Sequence, residues 1–497
     1  MRKIFSKKWI CFPLALITLI SSLFLVSCAD NCAKRENATS YEIQASLEEN
    51  VLTAEQTVCF FNCYDNAFSV LKFNIFGNAF RKNAIYSPIS NQYATRAYYD
   101  GYDYGNMEIT TVRQDDKDLQ FEICGQDKNI LAVSLENEVF PDESVTIYIE
   151  YKLTLAKVKA RTGITLNTVN LGNFYPILCG VEDNAFYECV YYANGDPFYS
   201  EVADYKVTLT CDCDYVVASS GCLLDEKKID DKRQYVYEAD NLRSFALVLS
   251  KNFKELSQEI DGVLVKYYYY LDDSPEKSLE YAIKSINYFS KTFGKYPYKT
   301  YSVVQTGFIQ GGMEYSALVM ISTDLDQSEY GEVIVHETAH QWWQTAVGNN
   351  EIKYGFLDEG LTEYSVVLFY ENHAEYGLKR ESMVKSAEQT FRVFCSVYDK
   401  VFGKIDTTMN RSLDKYISEY EYVNIAYIKP VIMYDTLRVS IGDERFFKGL
   451  KKYFEDYKFK NATPDDLTGE FEKIGAGTNG FFASFFDGTA IIWLTNG

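Results

Sequence analysis

Histidine, proline and glycine are scarce in this chain of 497 residues, which contains 3 His, 9 Pro and 28 Gly. So little Pro and Gly excludes collagen-like and other low-complexity structures. Basic residues are also in deficit, with 49 Lys and Arg against 70 Asp and Glu and a formal charge of −21. Because nucleic-acid binding requires a positive surface, we expect no nucleic-acid partner.

Long apolar runs are also rare, and the clearest one, from Trp9 to Val26, lies near the amino terminus. Basic residues without any acid precede it, which is typical of a secretion signal. The run leads into Ser27-Cys28, which resembles a bacterial lipoprotein signal, in which the cysteine is acylated. We expect residues 1–27 to be removed and the mature chain to be extracytoplasmic, attached to the cell membrane through a lipid on Cys28 only. An uncleaved membrane helix is the alternative.

A strand-rich region follows a polar tether at residues 28–40. Short segments of β-branched and aromatic residues, such as 145–155 and 263–270, alternate with turn residues and indicate strands. We therefore expect a β domain over residues 41–272.

The pattern changes at Ser274-Pro275, where apolar residues begin to recur every three or four positions. This spacing, with Pro in the first turn, predicts a helix and places a domain boundary here. Two short strand candidates follow at 301–308 and 317–323, and helical patterns continue after them. We expect a second, mainly helical domain over residues 273–497.

Two of the three histidines lie four positions apart, in the segment His336-Glu337-Thr-Ala-His340. On a helix, positions i and i+4 share one face, so both imidazoles can reach a single metal ion. Glu337 lies beside them and can approach a water molecule at that ion. The segment therefore predicts a metal-dependent hydrolase.

A third protein ligand is needed, because zinc hydrolases bind the metal through three side chains and leave one position open. Glu359 lies nineteen residues after His340 and opens another helical pattern, so we predict that it is the third ligand. Asp358 and Glu363 are the alternatives. Glu363 is one helical turn further on, where it can instead orient a ligand histidine from behind.

The arrangement resembles the gluzincin zinc aminopeptidases, the family that includes alanyl aminopeptidases and leukotriene hydrolases. Three motifs carry the resemblance: the spacing of ligands from His336 to Glu359, Gly-Gly-Met-Glu-Tyr at 311–315, and Ala-Tyr-Ile-Lys at 426–429. Segments of the strand-rich region also look like the family's amino-terminal domain. The resemblance thus covers nearly all of residues 41–497.

This resemblance implies an α+β multidomain fold, with an all-β saddle or sandwich domain followed by a thermolysin-like, mainly α-helical catalytic domain. It implies one Zn²⁺ ion as cofactor and peptides with a free amino terminus as substrates, and the amino-terminal signal makes us expect these peptides to be extracellular. The function it implies is that of a zinc aminopeptidase. The alternatives are a zinc endopeptidase of the same fold and a non-catalytic surface lipoprotein that binds peptides.

The resemblance also assigns the catalytic groups. It makes Glu337 the general base, which takes a proton as water attacks the peptide carbonyl. It makes Tyr427 the hydroxyl that stabilises the oxyanion formed in the transition state. Tyr422 is the substitute for Tyr427, since it lies a little over one helical turn earlier.

An aminopeptidase must also recognise a free amino terminus, and the resemblance assigns this role to Glu314. A carboxylate fixed near the zinc pairs with the substrate ammonium, whereas an internal residue would leave it unpaired. Glu188 and Glu201 are candidates for a second anchor from the β domain, although no motif supports either. The other residues of the predicted amine-binding turn are Gly311, Gly312 and Met313.

Three features depart from the family pattern. Tyr315 replaces the family Asn, and Pro430 replaces the Gly after Lys429. Proline is tolerated there if Tyr427 lies at the start of a helix, whereas deeper in a helix it would kink the chain. The carboxy-terminal helical domain of many relatives does not follow, so we expect a more open cleft.

Overall fold

The computed structural model describes residues 37–475 and 477–490, which pack as one compact unit. The predicted signal at 1–27, the lipidation site Cys28 and most of the tether lie outside the described residues. Within the described ranges, no helix has both the length and the apolar composition needed to cross a bilayer.

Strands dominate up to residue 269 and helices dominate after residue 275. The strands are β1 Ser40–Glu48, β2 Val51–Phe61, β3 Phe68–Asn74, β4 Asn106–Gln114, β5 Lys117–Asp118, β6 Phe121–Cys124, β7 Ile130–Val139, β8 Ser144–Thr154, β9 Thr162–Ile164, β10 Val169–Leu171, β11 Ile177–Leu178, β12 Val181–Glu182, β13 Ala185–Phe186, β14 Ala203–Asp212, β15 Val216–Ser219, β16 Cys222–Ile229, β17 Lys232–Leu242, β18 Leu247–Ser250, β19 Lys254–Ile260, β20 Val263–Tyr269, β21 Thr300–Thr306, β22 Gly312–Tyr315, β23 Leu318–Ser322, β24 Val347–Gly348 and β25 Lys460–Asn461.

The α-helices are α1 Ala94–Ala97, α2 Pro275–Thr292, α3 Tyr330–Ala339, α4 Glu351–Asn372, α5 Arg380–Phe402, α6 Glu419–Tyr422, α7 Lys429–Ile441, α8 Asp443–Tyr457, α9 Pro464–Lys473 and α10 Asn479–Phe486. Short 3₁₀ turns cover Phe76–Phe80, Ala374–Tyr376 and Leu413–Lys415, and a π-helical segment, Val423–Ile428, joins α6 to α7.

The strand-rich part contains an eight-stranded sheet in the order β16-β17-β14-β1-β2-β8-β4-β5. Its strands are antiparallel to their neighbours except for the parallel pair β1 and β14. Buried and more exposed residues alternate along β2 and β14, as expected for a sheet with one face against a core. Two four-stranded sheets, β15-β18-β10-β9 and β11-β3-β7-β6, supply further layers.

The two parts of the chain meet at a five-stranded sheet in the order β19-β20-β21-β23-β22. Strands β20, β21 and β23 run parallel, and β22 pairs antiparallel with β23 at the edge. The two strand candidates of the sequence correspond to β21 and β23, but β22 was not predicted. Its four residues are too few for a pattern to show.

The predicted helix start at Pro275 is confirmed, and helices α2, α3 and α4 pack together beneath the mixed sheet. The turn after α3 is fixed by two fully buried indole rings. Trp342 donates its Nε1–H to the carbonyl of Gly294, and Trp343 donates to Ser365 Oγ, at 2.8 and 3.0 Å. The β-rich part followed by a helical part confirms the predicted α+β fold class, while the exact division at residue 273 stays a prediction.

Candidate metal centre and active site

Helices α3 and α4 bring the three predicted metal ligands together. The two Nε2 atoms of His336 and His340 lie 3.1 Å apart. Glu359 Oε2 lies 3.5 Å from His336 Nε2 and 3.2 Å from His340 Nε2. His340 keeps a right-handed helical backbone as the residue that ends α3, so the i, i+4 relation of the histidines is preserved.

The outer nitrogen of each imidazole has its own partner, which turns Nε2 towards the centre. His336 Nδ1 lies 3.1 Å from Glu363 Oε1. His340 Nδ1 lies 3.0 Å from the carbonyl oxygen of Trp343 and 3.1 Å from Thr362 Oγ1. Partners of this kind fix the tautomer and ring orientation of metal-binding histidines.

The three ligand atoms fit a zinc ion. Ligands at about 2.05 Å in tetrahedral geometry lie about 3.3 Å from one another, close to the separations found here. Glu359 Oε2 is buried and has no hydrogen-bond partner among the described residues, so it is free to bind a cation. Burial opposes ionisation of this carboxyl, but the two histidines outweigh it and lower its pKa to about 2.

Neither alternative third ligand joins this triangle. Asp358 Oδ1 accepts a hydrogen bond from Asn349 Nδ2 at 2.8 Å, and Glu363 is engaged by the outer nitrogen of His336. The structure therefore places Glu359, and neither alternative, beside the two histidines. Glu363 lies behind His336, in the orienting position considered for it.

Glu337 lies against the backbone of Gly312. A Cβ atom at position 312 would lie 2.3 Å from Glu337 Oε1, so only glycine leaves room for the carboxylate there. Its other oxygen, Oε2, is buried without a partner among the described residues. Burial raises the pKa of Glu337 to about 7 against the lowering effect of the two histidines. A carboxyl poised near neutrality suits a general base.

Tyr427 reaches the metal centre from the π-helical segment. Its hydroxyl donates to Glu359 Oε1, and its ring lies parallel to the His336 ring with 6.1 Å between centroids. Tyr422, the substitute named above, packs edge-on against Tyr427. Its hydroxyl approaches Gly195 and Gly355, where any side chain would collide with it.

Of the two placements considered for Tyr427, the structure has the one inside a helix, because helical backbone runs from Glu419 through Pro430 to Ile441. A proline inside a helix removes one hydrogen bond and clashes with the carbonyl four residues earlier. The segment before Pro430 adopts the wider π geometry, a local irregularity that is frequent at functional sites. Gly360 allows this helix to pack closely, since a Cβ there would lie 2.5 Å from Pro430.

Three buried carboxylates, which we call the inner carboxylates, lie next to the metal centre: Asp196, Glu314 and Glu351. Each offers an oxygen within 4.8 Å of those of the other two. Glu314 Oε1 and Glu351 Oε2 have no hydrogen-bond partner among the described residues. Burial and the charge of Asp196 raise the pKa of Glu314 well above its usual value. This group is therefore deficient in positive charge.

Sequence reasoning missed two of these residues. Asp196 follows Gly195 in a turn of the β-rich part and pairs with the buried guanidinium of Arg161. Glu351 begins α4 and accepts a hydrogen bond from Gln344 Nε2 at 2.8 Å. The only local signal for Asp196 was an acidic residue inside a polar turn, which does not indicate where the turn will lie.

The residues considered as a second amine anchor are engaged elsewhere. Glu188 pairs with Lys72 at 2.5 Å, and Glu201 accepts the hydroxyl of Tyr64 at 3.0 Å. Tyr315, which departs from the family pattern, is buried and donates its hydroxyl to Asn173 Oδ1 at 2.9 Å. It thereby ties the edge strand β22 to the β-rich part.

An open cleft of about 450 Å³ leads to His336 and Glu337, with Gly311 and Gly312 along one wall. A separate inner cavity of about 20 Å³, large enough for one water molecule, lies beyond Glu314 and is also lined by Met313 and Glu351. The predicted amine-binding residues thus lie at the boundary between the cleft and this cavity.

Comparison with known proteins agrees with this geometry. Residues 277–487 match the family described as the peptidase family M1 domain. This part of the chain is similar to peptidase family M1. The M1 domain contains both helices of the metal centre, the Glu314 strand and Tyr427, and the predicted gluzincin family is confirmed.

Relatives of the M1 domain include aminopeptidase N of Lactobacillus helveticus, 27% identical over 261 residues, a match that covers 48% of this chain and 30% of the relative. Probable aminopeptidase 2 of Sulfurisphaera tokodaii is 23% identical over 434 residues, covering 82% of this chain and 52% of the relative. This chain therefore spans about a third to a half of these proteins.

Among solved structures, the M1 zinc metallopeptidase of Deinococcus radiodurans has the same fold. It superposes with a TM-score of 0.65 at 14% identity, covering 92% of this chain and 95% of the other. The β-rich part preceding the M1 domain is therefore shared with that protein.

Proposed function

We propose that this protein is a zinc-dependent aminopeptidase that removes the amino-terminal residue of extracellular peptides. The observation that carries the proposal is the convergence of His336, His340 and Glu359 beside two unpartnered carboxylates, Glu337 and Glu314. The three metal ligands and Glu337 are suited to metal-assisted hydrolysis, and Glu314 is suited to recognition of an ammonium ion.

His336, His340 and Glu359 would hold the zinc ion, which supplies Lewis acidity that activates water and polarises the peptide carbonyl. Glu337 accepts the proton of the attacking water and later donates it to the departing amine. Its position against Gly312, with a pKa of about 7, allows it to do both.

Tyr427 has two tasks in this proposal. Its hydroxyl holds Glu359 in position through their hydrogen bond. In the transition state the same hydroxyl turns to the oxyanion, whose charge exists only there, so that the interaction lowers the barrier rather than merely binding substrate.

The inner carboxylates bind the substrate ammonium. An ammonium has three N–H donors. Asp196 lines the cleft, and Glu314 offers an oxygen within 4.8 Å of that of Asp196. Asp196 is the second anchor that the sequence did not reveal. An acylated or internal nitrogen would leave these buried carboxylates unpaired, which is costly.

Hydrolysis of a tripeptide by the full chain tests the proposal. We expect release of alanine from Ala-Ala-Ala, loss of this activity with a chelator, and recovery when zinc is restored. Acetyl-Ala-Ala-Ala should not be cleaved. Cleavage of the acetylated peptide would favour the endopeptidase, and purified protein that binds no zinc and cleaves neither peptide would favour the non-catalytic binder.

We also propose that the protein is held outside the cytoplasm by a lipid on Cys28. The basic start, the apolar run 9–26 and the cysteine after it support this location. Labelled fatty acid should be incorporated by cells that produce the chain, and Cys28→Ser should abolish incorporation. Equal labelling of both proteins would contradict the proposal, and retention of residues 1–27 would favour the uncleaved helix.

A further inference from the structure

The open end of the cleft has a second set of acidic residues, which we call the mouth carboxylates: Glu329, Glu332 and Glu419. All three line the cleft. Glu329 and Glu332 are exposed and Glu419 is half-buried. Glu332 lies one helical turn before His336, so it is on the face of α3 that the metal ligands share.

The mouth carboxylates have no cationic partner among the residues that the structure describes. Glu329 accepts the backbone N–H of Asp326 at 2.8 Å, and Glu419 accepts hydrogen bonds from Gln92 and Tyr93. Among the described residues that line the cleft, Arg161 has the one guanidinium, and Asp196 neutralises it. The mouth is therefore negative.

Aliphatic side chains lie among these acids. Val333, Val366 and Val423 line the same cleft, and Val423 is 37% exposed. Lysine and arginine side chains suit such a surface, because their methylene stems pack on apolar groups while their charged ends remain in contact with acids and water.

The direction of a bound peptide follows from burial. Glu314, at the inner end, is 4% exposed, whereas the mouth carboxylates are accessible. A peptide whose ammonium is held at the inner end must leave the cleft through the mouth. Glu337, whose Oε2 is buried without a partner among the described residues, lines the same cleft as the mouth carboxylates.

We propose that the mouth carboxylates select peptides with lysine or arginine in the first or second position after the scissile bond. This inference rests on the proposed function, because the aminopeptidase reaction fixes which end of the peptide lies at the mouth. The net charge of −21 favours the approach of such cationic peptides as well.

The test measures alanine release by the full zinc-loaded chain from Ala-Lys-Ala-Ala, Ala-Ala-Ala-Ala and Ala-Glu-Ala-Ala. At low ionic strength we expect kcat/KM about fivefold to tenfold higher for the lysine peptide than for the glutamate peptide. In about 1 M NaCl, where the Debye length is about 3 Å, the ratio should approach one.

Two triple variants identify the groups responsible. Glu329→Gln, Glu332→Gln and Glu419→Gln together should abolish the preference. The matched control, which removes the exposed carboxylates of Glu138, Glu259 and Glu455 outside the cleft, should keep it. Both variants lose the same charge, so a general effect of net charge would appear in both.

The outcomes separate the two proposals. Equal kcat/KM for the three peptides overturns the inference about selectivity but leaves the proposed aminopeptidase activity standing. The same conclusion follows if the triple variant of the mouth carboxylates keeps the preference for the lysine peptide. If none of the peptides releases alanine, the proposed function fails and the inference fails with it.

Discussion

Two sets of carboxylates, one beside the metal centre and one at the mouth of the cleft, differ in burial. The inner carboxylates Asp196, Glu314 and Glu351 are 8%, 4% and 2% exposed, whereas the mouth carboxylates are exposed or half-buried. A buried carboxylate has lost its hydration and requires a partner. An exposed one keeps its water and is screened by salt.

The difference in burial therefore gives the two sets of carboxylates different functions. A substrate without an ammonium leaves the buried charge of the inner carboxylates uncompensated. This costs several kcal/mol of binding free energy and nearly excludes such a substrate. At the mouth, each exposed pair contributes about 0.2–1 kcal/mol, which grades substrates without excluding any. The inner end should decide what is cleaved, and the mouth how efficiently.

Glu337 lies between the two ends, so Glu337→Gln should reduce turnover of every peptide equally. We expect kcat to fall by about 10³-fold, within the range for loss of a general base. The ratio between lysine and glutamate peptides should not change. Zinc content should equal that of the wild type, as metal analysis can check, and unchanged kcat would remove Glu337 from the mechanism.

Glu314→Gln separates the two ends more sharply. The variant should lower kcat/KM for Ala-Ala-Ala by about 100-fold or more, because a neutral amide cannot compensate the ammonium. The preference set by the mouth should remain, since distant sites act additively. Steady-state kinetics on free and acetylated peptides measures both effects. A loss below tenfold would contradict the anchoring role of Glu314.

Asp196→Asn should have a smaller effect, because Asp196 also pairs with Arg161. Loss of one charged hydrogen bond predicts a fall of about tenfold in kcat/KM, mainly through KM. Arg161→Met with an intact Asp196 is the control, since it removes the ion pair but keeps the carboxylate. If both variants raise KM equally, the role of Asp196 is to hold the loop rather than the ammonium.

Local patterns predicted the parts of this site that lie within one helix. The i, i+4 histidines and the helix start at Pro275 depend on neighbouring residues, and the structure contains both. Glu359 could be predicted as the third ligand because its spacing from the histidines is set by the turn and helix that follow them.

The inner end could not be predicted in the same way. Asp196 and Glu314 are 118 residues apart, and their meeting depends on how a turn of the β-rich part packs on an edge strand of four residues. The packing of the π segment at Tyr427 was missed for a similar reason. Pro430 packs on Gly360, which lies in another helix 70 residues earlier.

The smallest expected effect concerns Glu351, whose printed hydrogen-bond partner among the described residues is the neutral amide of Gln344. Burial, with repulsion from Asp358, raises its pKa well above the usual 4.5, so the folded chain binds this proton more tightly than the unfolded chain does. Its destabilising contribution must therefore grow as the pH rises above about 4.5. Glu351→Gln should be about 1 kcal/mol more stable than the wild type at pH 7.5, with a smaller difference at pH 5.

Thermal unfolding of the zinc-loaded chain at the two pH values measures this difference, with Glu138→Gln as the exposed control. Free alanine, whose ammonium can bind beside the inner carboxylates, should reduce the difference in Tm between the variant and the wild type, because it stabilises the wild type more. If the Tm of Glu351→Gln at pH 7.5 is equal to or below that of the wild type, the carboxylate is already compensated. The contrast in charge compensation between the two ends of the cleft would then not extend to Glu351.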